Sequence, residues 1–180
     1  AAGAWQNQQA MAAEVPTATL VQGATSMTLK VNGKNHKVTV EPRTTLLEVL
    51  RYQLNLTGAK PVSSDGSSGA STVIINGKPH VASTTLAISC RRKKIETVES
   101  LGGENPDAVP LAFVEHDAQQ CGFCTPGFLM TLKAALAEPR EWSRESIRHL
   151  LSGNICRCTG YQAIVDAVEA VGQLRNGGSA

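Results

Sequence analysis

Met27-Thr-Leu-Lys-Val-Asn-Gly-Lys-Asn-His-Lys-Val-Thr-Val40 decides the first half of the fold. Met27 to Val31 alternates apolar and polar residues, as a strand with one buried face must, and His36 to Val40 alternates again. Between the two runs stands Asn32-Gly33, the residue pair that best accepts two successive left-handed conformations, so the segment predicts a hairpin. Thr72-Val-Ile-Ile-Asn-Gly-Lys-Pro-His-Val81 repeats the device around Asn76-Gly77. Between the hairpins, Thr45 to Leu54 carries Leu46, Leu47, Val49 and Leu50 at helical spacing, with Thr44 or Thr45 as cap. Ile95 to Val98 supplies a fifth strand. A small mixed sheet packed on one helix follows.

The character of the chain changes at Gly102-Gly-Glu-Asn-Pro106, and beyond it the spacing is helical. Val109 to His116 is a short amphipathic segment. Thr125-Pro126 places a cap and a first-turn proline ahead of a helix over Phe128 to Ala137. Ser143 caps a segment with Ile147, Leu150 and Leu151 that stops at Gly153. Thr159-Gly-Tyr-Gln162 fits a capping box ahead of Ile164, Val165, Val168 and Val171. The division predicted is therefore an extended N-terminal arm over 1–26, a sheet domain over 27–102 and a helical domain over 103–180.

Bulk properties exclude several classes. With 42% apolar and 18% charged residues the chain can bury a core, and no stretch approaches the roughly 20 apolar residues of a membrane span. Aromatics are only 4% and the net charge is +2, which argues against a nucleic-acid partner. Arg91-Arg-Lys-Lys94, the one basic run, is expected to be a solvated hairpin turn. The first 26 residues are rich in Ala, Gln, Thr and Ser, with no charged and apolar leader. They suggest an arm lying on a partner and a slight preference for a periplasmic location after signal removal, with the cytoplasm as the alternative.

Four of the five cysteines form two tight pairs, Cys121-Gly-Phe-Cys124 and Cys156-Arg-Cys158, each just ahead of a predicted helix. Free N–H groups and the positive end of the helix dipole favour negative charge there, which suits thiolates and cluster sulfides. From spacing alone four readings stand: an iron–sulfur cluster on four thiolates, structural zinc, disulfides between the pairs, or buried free thiols. Cys-x-Cys is tight for zinc, and near neighbours seldom bridge well. Cys90 reads as a buried apolar residue, and His36, His80, His116 and His149 are scattered over different elements.

Gln120-Cys-Gly-Phe-Cys-Thr-Pro-Gly127 and Ser152-Gly-Asn-Ile-Cys-Arg-Cys-Thr-Gly-Tyr161 resemble the two cluster-binding motifs of the iron–sulfur subunit of molybdenum hydroxylases. That is the xanthine oxidase family, with bacterial aldehyde, carbon monoxide, isoquinoline and nicotinate dehydrogenases among its members. The resemblance runs from Met27 to about Leu174. It implies an α+β chain: an N-terminal β-grasp ferredoxin-like domain, then a C-terminal four-helix [2Fe–2S]-binding domain. It implies one cluster on Cys121, Cys124, Cys156 and Cys158, with Gln120 and Cys158 against the molybdopterin of a large partner subunit. Onward transfer in the family goes to an FAD-bearing medium subunit or a cytochrome haem. No catalytic residue is expected in this chain. The rival reading from another class is a non-redox assembly module built on structural zinc, and a free-standing ferredoxin carrier is a third.

The chain departs from the family in one place. The ferredoxin-type spacing is Cys-x4-Cys-x2-Cys with a later fourth cysteine. Here Ser63, Ser68, Ser71 and Ser83 stand at all four positions, with Gly66 and Gly69 of the loop kept. Hydroxyls are harder and far less acidic ligands than thiols, so four of them should hold no cluster. Uniform replacement with an intact loop fits deliberate substitution better than decay; a natural lineage that lost the cluster is the alternative. Composition without the resemblance makes the same segment a flexible surface loop.

Overall fold

The computed structural model describes residues 22–137 and 142–175. Strands β1 (Thr25–Val31) and β2 (Lys34–Val40) pair antiparallel across Asn32-Gly33, both of positive φ, as a two-residue turn of this kind requires. β3 (Thr72–Ile75) and β4 (Lys78–Val81) do the same across Asn76-Gly77. β5 (Lys94–Glu96) enters between the hairpins, parallel to β1 and antiparallel to β3, giving the order β2-β1-β5-β3-β4. The Asn32 side chain pins this junction: its amide donates to Thr97 Oγ1 at 2.8 Å, and its Oδ1 accepts from Thr97 N at 2.9 Å.

The mixed sheet and five helices make an α+β chain. Helix α1 (Leu46–Glu48) continues into a wider π-helical turn, Val49–Gln53. Leu46, Val49 and Leu50 are fully buried against Leu29, Val38, Val73 and Ile95 of the sheet. Each such side chain contributes about 1.5–3 kcal/mol of burial. Thr45 closes a complete capping box. Its hydroxyl accepts from Glu48 N at 3.2 Å, while Glu48 Oε2 accepts from Thr45 N at 2.7 Å.

Thr45→Ala should therefore cost about 1 kcal/mol, measured as a lower denaturation midpoint at unchanged slope. The Thr45 amide, then its hydroxyl, hold the exposed Glu48 carboxyl below the usual range. A depressed folded-state pKa adds stability above the ordinary glutamate value, and that stability is lost as pH falls through the folded value. The deficit of T45A should accordingly narrow in acid.

Beyond Glu96 the elements are helices: α2 (Ala108–Glu115), α3 (Thr125–Ala135), α4 (Arg144–Leu151) and α5 (Gln162–Arg175). Phe113, Phe128, Met130, Leu132, Ile147 and Ile164 form a second core among them. Ile74 of β3 belongs to this second core, while Val73 and Ile75 face the first. Burial on both faces explains why β3 is an unbroken apolar run rather than an alternating one. Asp107 caps α2 through Val109 N and pairs with Lys133 of α3, and Arg144 joins α4 to Asp166 at 2.8 Å and to Glu169 on α5.

Several expectations need correction. Thr25 and Ser26 already belong to β1, so the strand begins inside the span assigned to the arm; residues 1–21 lie outside the described residues. Arg91 to Lys94 is exposed for the most part but is no hairpin turn: it leads from a 3-10 turn (Ala87–Cys90) into β5, with Arg92 at φ +62°. Thr125 is the first residue of α3, and Cys124 takes the cap position without a side-chain bond. Among the described residues no helix is long and apolar enough to cross a membrane.

Candidate metal centre

Two turns carry the paired cysteines to one place. Gly122, at φ +74°, lets the chain reverse between Cys121 and Phe123, and the Cys124 carbonyl accepts from Gly127 N and Phe128 N to start α3. Cys156 and Cys158 leave α4 and precede α5. The capping box expected at Thr159 does not form. Tyr161 adopts φ +69° immediately before α5, and its carbonyl accepts from Val165 N. The Thr159 hydroxyl is instead 3.1 Å from Cys156 Sγ and accepts from Tyr161 N at 3.3 Å. The Cys156 N–H donates to Tyr161 Oη at 2.9 Å, and the Tyr161 ring stands edge-on to buried Phe128.

The four thiols face one another as two pairs, each drawing one member from each motif. Cys121 Sγ and Cys158 Sγ are 3.4 Å apart at the surface. Cys124 interacts with Cys156 more deeply, where Cys156 is buried and Cys124 half-buried. All are free thiols, and 3.4 Å is far beyond a disulfide bond of about 2.05 Å.

In each pair one thiol is eased toward ionisation and the other held back. The Phe123 amide and then Cys158 lower Cys121, while Cys121 raises Cys158. Burial, then Cys156, pushes Cys124 up to about 12. Burial also opposes ionisation of Cys156, but the Thr159 hydroxyl and amide outweigh it and bring that thiol down.

This donor set suits a binuclear group. The four thiols are presented as two contacts, Cys121 with Cys158 and Cys124 with Cys156. Two facing pairs fit two irons joined by sulfides. Thr125 Oγ1, next to Cys124, is buried without a hydrogen-bond partner and offers a donor to a sulfur acceptor. Phe123, Ile155 and Tyr161, 50%, 55% and 37% exposed, lie in the two cysteine segments or just after them, which is more apolar surface than solvent favours. Gln120 is exposed beside Cys121.

The structure also gathers the four serines. Ser63 and Ser68 hydroxyls are 2.9 Å apart, and Ser71 donates to Ser83 at 3.1 Å. Each pair closes further on the backbone, Ser68 N to Ser63 Oγ and Ser83 N to Ser71 Oγ. Ser68 and Ser71 are buried. This is no loose surface loop, and its hydroxyls already satisfy one another. They do not fit an iron cluster. Cys90 is fully buried, donating to Leu86 O at 3.6 Å.

Sequence reasoning missed Tyr161 and Asn154. Tyr161 stands in the second cysteine motif, but nothing in the spacing signals its positive φ. Asn154 sat inside a quoted motif with no role; its 5% exposure is what distinguishes it.

Comparisons with known proteins point to one family. The family described as [2Fe-2S] binding domain matches residues 97–169. The aldehyde oxidoreductase iron-sulfur-binding subunit PaoA of Escherichia coli strain K12 is 39% identical over 92% of this chain and 80% of its own length. The 6-hydroxypseudooxynicotine dehydrogenase complex subunit beta of Paenarthrobacter nicotinovorans is 44% identical over 78% of this chain and 89% of its own. Among solved structures, a chain of quinoline 2-oxidoreductase from Pseudomonas putida 86 superposes with a TM-score of 0.81 at 41% identity, covering 87% of this chain and 99% of that one. Aldehyde oxidoreductase from Desulfovibrio gigas gives 0.81 at 37%, over 86% of this chain and 18% of that one.

Proposed function

The chain belongs to the iron–sulfur subunits of molybdenum hydroxylases, the electron-transfer subunits of such complexes, and from that premise we propose that Cys121, Cys124, Cys156 and Cys158 hold one [2Fe–2S] cluster. The observation that carries the assignment is the meeting of one thiol from each motif in each of two facing pairs. When bound, such a cluster supplies storage of one electron at a time. The protein's own contribution is placement: Gly122 and Tyr161 turn the two segments, Phe128 and Tyr161 wall the site, and Thr125 and Thr159 offer hydroxyls at its edge.

The cluster half corresponds to residues 103–180, a four-helix domain, and the preceding β-grasp ferredoxin-like domain to 27–102. Ser63, Ser68, Ser71 and Ser83 stand where that domain would ligate a second cluster, and their hydroxyls leave it without one. The surface around Phe123, Ile155 and Tyr161 seats the large subunit, with Gln120 and Cys158 toward its molybdopterin. In the complex this chain would lie between the molybdenum centre of that subunit and an FAD-bearing subunit or a cytochrome haem, with Cys121, Cys124, Cys156 and Cys158 holding the group that would carry electrons between them.

The test is iron and acid-labile sulfide per chain, with electron paramagnetic resonance after dithionite reduction. Two irons and one rhombic signal are expected. Four irons with two signals would show that the serine loop binds a cluster, and zinc in place of iron would end the redox reading.

A further inference from the structure

The serine loop and the second cysteine segment are packed backbone to backbone. The Ser68 carbonyl accepts from Ile155 N at 3.0 Å, one residue ahead of Cys156. Gly69 has φ +65°, and a Cβ there would lie 2.2 Å from the Gly153 carbonyl and 2.6 Å from Asn154 Nδ2. From the third side, a Cβ on Gly127 of α3 would lie 2.4 Å from the Gly69 carbonyl. Three segments therefore cross where no side chain fits between them.

At the crossing sits the Asn154 amide, 5% exposed. Its Nδ2 donates to the Gly69 carbonyl at 3.2 Å, and its Oδ1 accepts from Thr131 Oγ1 of α3 at 2.9 Å. A carbonyl can only accept, so the nitrogen must face Gly69, and the oxygen is left to take the hydroxyl proton. Buried amides bonded on both ends fix geometry strongly, because each lost partner leaves a desolvated polar group.

We infer that Asn154 is a positioning residue for the cysteine site: by tying the serine loop and α3 to the segment that carries Cys156, it sets where that thiol stands. The inference rests on the cysteine-site reading above, and it gives the cluster-free serine loop a present task. That loop is the anvil against which the Cys156 segment is held. Outer partners of metal ligands act in this way, through orientation rather than by touching the metal.

The full chain, purified with its iron, tests this through Asn154→Asp. The substitution keeps the shape but turns a carboxyl oxygen toward the Gly69 carbonyl. Expected are altered g-values in the dithionite-reduced spectrum and about tenfold faster iron loss to a chelator, the lower end of the effect of removing an outer-shell partner. Val73→Ala, in the other core, is the control for instability alone and should leave the g-values in place. If N154D melts lower, as the control does, yet keeps wild-type g-values and iron-release rate, Asn154 is merely structural and the inference falls. If N154D does not fold, Thr131→Val removes only the Oδ1 partner and is expected to shift both readouts in the same direction; no shift there overturns the inference. A wild-type chain that holds no iron would overturn the cysteine-site reading and this inference together, whereas iron-loaded wild type with unaffected variants overturns this inference alone.

Discussion

Cys156→Ala will leave the purified chain without its iron. Cys156 is the most buried of the four paired thiols, and it is tied at its amide to Tyr161 and at its sulfur to Thr159. Alanine removes a ligand from the deeper pair and gives no replacement donor, while Cys124 across from it keeps a thiol that burial makes reluctant to ionise. With one of four thiolates missing, iron should fall from about two per chain to near zero, and the visible absorption of the cluster should vanish. Because binding a metal group adds its free energy to folding, the melting temperature should drop as well. Cys90→Ala is the control. That cysteine lies in the other core and should lose packing energy but no iron. Full iron retention by the Cys156 variant would place the cluster elsewhere.

Gly127→Ala should destabilise the protein although it puts a better helix former into α3. In an open helix the change gains roughly 1 kcal/mol. Here the new Cβ would stand 2.4 Å from the Gly69 carbonyl, 3.0 Å from Asn154 Nδ2 and 3.1 Å from Ala70 Cα. Two of those neighbours are backbone, which no rotamer change can move aside. Overpacking of this kind costs about 1–3 kcal/mol or more, and a backbone clash belongs at the upper end, so the cost exceeds the gain. A net loss of about 1–2 kcal/mol should lower the melting temperature by about 2–8 °C for a chain of this size. A melting temperature that rises instead would mean that α3 and the serine loop do not approach so closely in solution.

Most of the sheet was legible because its signals are local. Asn-Gly at both turns dictates positive φ, and the alternation of Met27, Leu29 and Val31 marks a buried face. The first helix's cap was legible as Thr44 or Thr45, and the structure settles it as Thr45 through the box with Glu48. The pairing of β1 with β5 was not legible, since it joins residues some sixty positions apart and neither strand names its partner. The caps at the cysteine site misled for a physical reason. Thr125 and Thr159 carry the residue type of helix caps, yet the backbone turns by positive φ at Gly122 and Tyr161, and the Thr159 hydroxyl stands beside Cys156 Sγ while that of Thr125 is buried without a partner. The cysteines themselves were evident from spacing, but their crossed pairing between motifs was not. Spacing sets no order among the four, and the folded chain brings Cys121 to Cys158 and Cys124 to Cys156.

The place of β5 in the sheet has a bearing on the order in which the protein is made. A chain synthesised from its N-terminus cannot close the sheet until Glu96 has been added, because the two hairpins share no ladder without β5. Loop closure over that distance is the slow, entropically costly event of the first half. The second cysteine pair comes well after that point, since Cys156 is 60 residues beyond Glu96. The surface formed by Ser68 and Gly69 can therefore be finished before the last two thiols leave the ribosome. The second half then has a folded template to pack against.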